Sequence, residues 1–224
     1  MNILDIACIL VSITGSIASF LSLKWVLIKR EPKEEKDEGR IRRLNIYFLF
    51  MTLITAMLSV MMRKFYNEEF LDTVFVLMML NNIWPAAYTD VKKMKIYNET
   101  IIYGFIFRGI LIVPEIMYYG FSKDYCLRIL SCAIAIGMIF LAGVICRLII
   151  KNSIGAGDIK LLAMMAAYLG IYKIGAVVFC SLLVAFFYCL YLLIKKKVSK
   201  KDAIPFGPSI IIGAYIAVFL GTVI

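Results

Sequence analysis

Side chains able to do chemistry are scarce in this sequence, and two of them occupy matching places. Asp90 closes one apolar run and Asp158 opens another, within Gly155-Ala-Gly157-Asp158-Ile-Lys160-Leu-Leu. Two carboxyl groups brought face to face share one proton, because adjacent like charges do not both ionise cheaply. Such a pair can draw a proton from water while giving one to a scissile carbonyl. The two glycines ahead of Asp158 let a peptide backbone come close to the acid and permit an irregular start to the helix. A further segment, Pro205-Phe-Gly207-Pro208, opens the last apolar run. Proline is tolerated there, because the first turn of a helix has no use for its missing N–H.

Other chemistries are excluded by composition. The chain has no histidine, so Ser-His-Asp and Cys-His catalysis and the two-histidine zinc helix are ruled out. Its six cysteines lie within or at the ends of apolar runs, none in a C-x-x-C pair. They read as small apolar packing residues, neither zinc ligands nor a disulfide framework. No metal and no cofactor is expected, since a carboxyl pair needs neither. Among the remaining ionisable residues in or near the apolar runs, Asp5, Lys24, Asp72, Glu115 and Arg128 are close enough to run ends to reach water by snorkelling. Arg108 lies deeper, and the sequence gives it no role.

The elements that must position the two acids follow from hydropathy. Of 224 residues, 62% are hydrophobic, and the mean hydropathy is +0.89. Apolar runs recur near the length of about 20 residues that a membrane-spanning helix needs. The expected fold is all-α, a polytopic membrane helix bundle of about eight transmembrane helices forming one membrane domain over residues 1–224. The spans are expected at 3–28, 44–62, 70–89, 98–119, 125–147, 158–171, 174–194 and 206–224. The sixth and seventh must be separate, because one helix over 158–194 would be about 55 Å long against a hydrocarbon core of ~30 Å. Gly170 and Gly175 are the natural break.

The net charge of +10 invites a nucleic-acid reading, but the basic residues sit in short clusters between apolar runs and form no basic face. No nucleic-acid partner is expected; the surroundings are membrane lipid. Eighteen of the 25 Lys and Arg residues fall in segments 29–43, 91–97, 147–160 and 195–201. The positive-inside rule then puts those four segments in the cytoplasm and both termini outside, in a multi-pass protein of the cytoplasmic membrane. Asp90 and Asp158 thereby arrive at the same membrane face. Nothing in the sequence indicates an oligomeric state.

Three motifs in order carry a family resemblance. Gly155-Ala-Gly-Asp-Ile-Lys-Leu-Leu-Ala163, Asp90 followed by Lys92, Lys93, Lys95, Ile96 and Asn98, and Pro205-Phe-Gly-Pro-Ser-Ile-Ile-Ile-Gly213 closely resemble the type IV prepilin peptidase family of G-x-G-D intramembrane aspartic proteases. Residues 15–32 are similar to the family's first span. The resemblance implies that Asp90 and Asp158 are the catalytic acids and that Gly155, Gly157, Pro205, Gly207 and Pro208 frame the site. It also implies a peptidase core over 44–224 and, as partner, a prepilin or pilin-like protein whose short basic leader is removed at the cytoplasmic membrane face. Two departures stand. Ile96-Tyr97-Asn98 replaces the family's usual Ile-Pro-Asn, and the loop after the first span (29–43) is short and lacks the cysteine-rich module of bifunctional members. N-methyltransferase activity is therefore not expected. The alternative from another class is a membrane transporter, or a non-catalytic pilus or secretion assembly factor, using the paired acids to bind an ion or proton.

Overall fold

The computed structural model describes residues 3–30, 38–66, 69–149, 155–195 and 204–221, and those residues form seven helices. They are α1 (Ile3–Arg30), α2 (Glu38–Phe65), α3 (Phe70–Lys93), α4 (Asn98–Tyr119), α5 (Lys123–Ile149), α6 (Ala156–Ile194) and α7 (Gly207–Phe219). Six are long and apolar enough to cross a membrane. The chain is thus a multi-pass membrane protein built as a helical bundle. Of segment 29–43, residues 31–37, with the acidic Glu34, Glu35 and Asp37, lie outside the described residues.

The sixth and seventh expected spans form the single run α6, broken at Gly170 (φ 71°, ψ −176°). That left-handed φ suits glycine. A Cβ there would also sit 2.7 Å from Ser131 Oγ, and the same hydroxyl accepts the Ile171 N–H at 3.0 Å. The break therefore carries its own hydrogen-bond partner from α5, as backbone in lipid must. Gly175, the other expected breaker, stays helical. The last expected span is also shorter than the sequence suggested: α7 has 13 residues, about 20 Å at 1.5 Å per residue.

By internal packing the chain falls into two compact units, one of Met1–Pro85 with Tyr97–Gly120, the other of Ala86–Ile96 with Phe121–Val223. In the first, α1 turns a face of small residues (Ser12, Gly15, Ser16, Ser19, Ser22) to the interior. Small residues are how helices approach one another in lipid, where no hydrophobic force drives them together. Ser16 Oγ donates to Asn81 Oδ1 at 2.7 Å, and Asn81 Nδ2 donates to the Ser12 carbonyl at 3.2 Å. In the second unit α5 and α7 both pack on α6.

The first unit also holds an ion pair. Arg108 donates to Glu115 through both terminal nitrogens, at 2.8 and 3.3 Å, and its guanidinium lies 5.0 Å from the centroid of the Phe75 ring. The side chains are 7% and 0% exposed. Glu115 therefore does not snorkel as its position near the helix end implied. It lies two turns along the same helix face from Arg108 and neutralises it. Asp5 likewise is buried, with Arg63 Nε 3.6 Å away. Removing one partner of a buried pair leaves an uncompensated charge, whereas replacing both with apolar groups does not. Glu115→Gln is expected to cost about 3–5 kcal/mol of stability, and Arg108→Met with Glu115→Leu close to nothing. Unfolding in mixed micelles measures both, and additive losses in the double variant would show that the pair is not coupled.

Candidate active site

Both acids and all three motifs fall in the second unit, apart from the residues after Ile96. Asp90 sits in the last turn of α3, which ends where Met94 takes a left-handed φ of 50°. The Met94 N–H still reaches the Asp90 carbonyl at 2.8 Å, so Asp90 keeps a helical main chain while its side chain is aimed by the helix end. The residue is 6% exposed. Its Oδ2 accepts the main-chain N–H of Gly207 at 2.8 Å.

Gly207 is the first residue of α7 and Phe206 its N-cap. The first N–H groups of a helix have no partner within it, and here a carboxyl oxygen takes one of them. A Cβ on Gly207 would stand 2.8 Å from Asp90 Oδ2 and 3.0 Å from Asp90 Cβ. The approach is possible only without a side chain. Pro208 occupies the next position, where its lost N–H was unpaired in any case.

Asp158 is the third residue of α6, with Gly155 as N-cap in an extended conformation (φ −63°, ψ 140°). At that position a carboxyl group points back toward the N-cap, as in half of a capping box. A Cβ on Gly155 would lie 2.7 Å from Asp158 Oδ2. The second glycine of the motif serves a different contact: a Cβ on Gly157 would meet Ile96 Cβ at 2.9 Å. Ile96 is buried and belongs to the turn that follows α3. The start of α6, which carries Asp158, thus packs onto the turn after Asp90.

Of the seven residues singled out from sequence, Asp90 and Gly207 are in contact, as are Asp158 and Gly155, and Gly157 spaces α6 against Ile96. Pro205 precedes α7. Asp90 was expected only at a helix end. The helix start laid against it comes from α7. The role of Ile96 was also missed, although an apolar β-branched residue directly after Lys92, Lys93 and Lys95 is the signal that could have revealed it. The departure at Tyr97 is accommodated. Its φ of −76° lies within the range a proline ring enforces. Among the described residues no group of three or more His, Cys, Asp or Glu side chains could hold a metal ion.

Residues 73–193, more than half of the chain and including both acids, match the type IV leader peptidase family. The prepilin leader peptidase/N-methyltransferase of Bacillus subtilis (strain 168) is 29% identical over 156 residues, which is 69% of this chain and 57% of that protein. The chain therefore spans little more than half the length of this curated relative. No solved structure matches. On the family match, the chain belongs to the type IV leader peptidase family.

Proposed function

We propose that the chain is an aspartic endopeptidase that removes the short basic leader of prepilin or pilin-like proteins at the cytoplasmic membrane face, with Asp90 and Asp158 as the catalytic acids. The observation that supports this reading is that the start of α6, which bears Asp158, packs through Gly157 on Ile96 in the turn after Asp90, while Asp90 accepts the Gly207 N–H. One carboxylate takes a proton from water as the oxygen attacks the scissile carbonyl carbon, while the other carboxyl group protonates the carbonyl oxygen. The tetrahedral diol then collapses: the C–N bond breaks, the departing amine takes a proton, and the pair returns to its starting state with one proton shared. Water supplies the hydroxyl of the new carboxyl terminus and a hydrogen on the new amine. No metal or cofactor enters this scheme.

The B. subtilis relative carries N-methyltransferase in its name. That activity is not part of the proposal, because the segment between α1 and α2 is short and holds no cysteine, so it offers no thiolate zinc site. In the proposed topology both termini lie outside and Lys29, Arg30, Lys92, Lys93 and Lys195 mark cytoplasmic helix ends.

Asp90→Asn and Asp158→Asn are each expected to lower leader cleavage by at least ~10³-fold, at the upper range for acid–base groups, with membrane insertion intact. Purified variants assayed on a prepilin-like substrate decide this, and near-wild-type turnover in either variant removes that residue from the pair. Lys160→Gln is expected to be milder, since two residues along a helix is about 200° around it, away from Asp158. Losses equal to those of Asp158→Asn would give Lys160 a direct part. Processed substrate incubated with S-adenosylmethionine is expected to keep an unmodified amino terminus; a mass increase of one methyl group would refute cleavage without methylation.

A further inference from the structure

α7 touches two partners through two glycines. At its first residue, Gly207 lies against the Asp90 carboxyl group. Six residues on, about 9 Å along the axis and on a different face, Gly213 lies against the main chain of α6. A Cβ there would stand 2.4 Å from Ser181 N and 2.5 Å from Ser181 Cα. Ser181 also donates to the Ile210 carbonyl of α7 at 3.4 Å and to the Val177 carbonyl of its own helix at 2.6 Å. Gly207, Gly213 and Ser181 are all buried. Ser181 lies on the part of α6 beyond the break at Gly170, and Asp158 lies on the part before it.

We propose that α7 is a calliper that holds Asp90 at a set distance from the second part of α6, with Gly213 as a remote positioning residue. One jaw is the Gly207 N–H on Asp90, and the other is the backbone contact between Gly213 and α6. The rigid helix between them transmits displacement from one contact to the other. Because the second contact is with main-chain atoms, no side-chain rotation relieves a Cβ at Gly213. To regain an ordinary separation of about 3.5 Å, α7 must withdraw by about 1 Å. The Gly207 N–H then leaves Asp90 or drags it along. A misplacement of that size costs up to ~10²-fold in rate when the moved group takes part in the reaction.

The inference rests on Asp90 and Asp158 being the reacting pair, so the test has one arm that needs no turnover. In Gly213→Ala, kcat is expected to fall roughly ten- to a hundredfold with KM within about twofold of wild type. The infrared carboxyl band of Asp90, identified by its loss in Asp90→Asn, is expected to move. Gly175→Ala places a methyl group where nothing lies within 4 Å, and should change neither quantity. An unmoved Asp90 band, a kcat within about twofold of wild type, or an equal effect from Gly175→Ala would each overturn the calliper. Should Gly213→Ala fail to fold, Ser181→Thr adds its methyl group to the same contact from the α6 side and is read the same way. A wild-type protein that cleaves no pilin-like substrate sinks the peptidase reading, and the infrared arm then decides the calliper alone.

Discussion

A carboxyl group inside a membrane protein has little water to turn to, so its oxygens need protein donors at contact distance. Asp90 meets that need with main chain, accepting the N–H of Gly207, and Gly155 leaves room for the Asp158 carboxyl oxygen. The donor to Asp90 comes from the start of a helix, where N–H groups are otherwise unpaired. The constraint works in both directions, since the helix start gains an acceptor and the acid gains a fixed direction. At either glycine a Cβ would fall within 2.8 Å of a carboxyl oxygen. The motifs are therefore spatial exclusions written as sequence: glycine appears where a methyl group would occupy the oxygen's place.

Lipid also shapes the unit that carries no part of the acid pair. Arg108 and Glu115 are both inside, and the guanidinium finds its counter-charge on its own helix, seven residues on. Two side chains on one helix can form such a pair without help from tertiary structure, so the charges travel as a neutral unit. The polar contacts of Ser12, Ser16 and Asn81 follow the same logic with uncharged groups. In each case a buried polar atom meets its partner where solvent would otherwise be required.

Composition and periodicity were enough to establish the number and order of most helices, because a span in lipid must be long, apolar and closed on its own backbone hydrogen bonds. The two acids stood out in the sequence for a related reason: an ionisable residue at the edge of an apolar run is costly unless it has a use. Even the break in α6 followed from length alone, since 39 helical residues exceed any bilayer core. What hydropathy could not see was which neighbour each side chain meets. Glu115 near a run end looks the same whether it reaches water or Arg108. Gly170 and Gly175 look equally suited to break a helix, and only Ser131 on α5, with its hydroxyl at the freed Ile171 N–H, picks the first. Asp90 appeared to end one helix, and the start of α7 that meets it lies 117 residues further along the chain. Local sequence fixes chain direction and polarity, which are properties of a segment and its solvent. The contacts that orient the acids are between segments, and only folding brings those together.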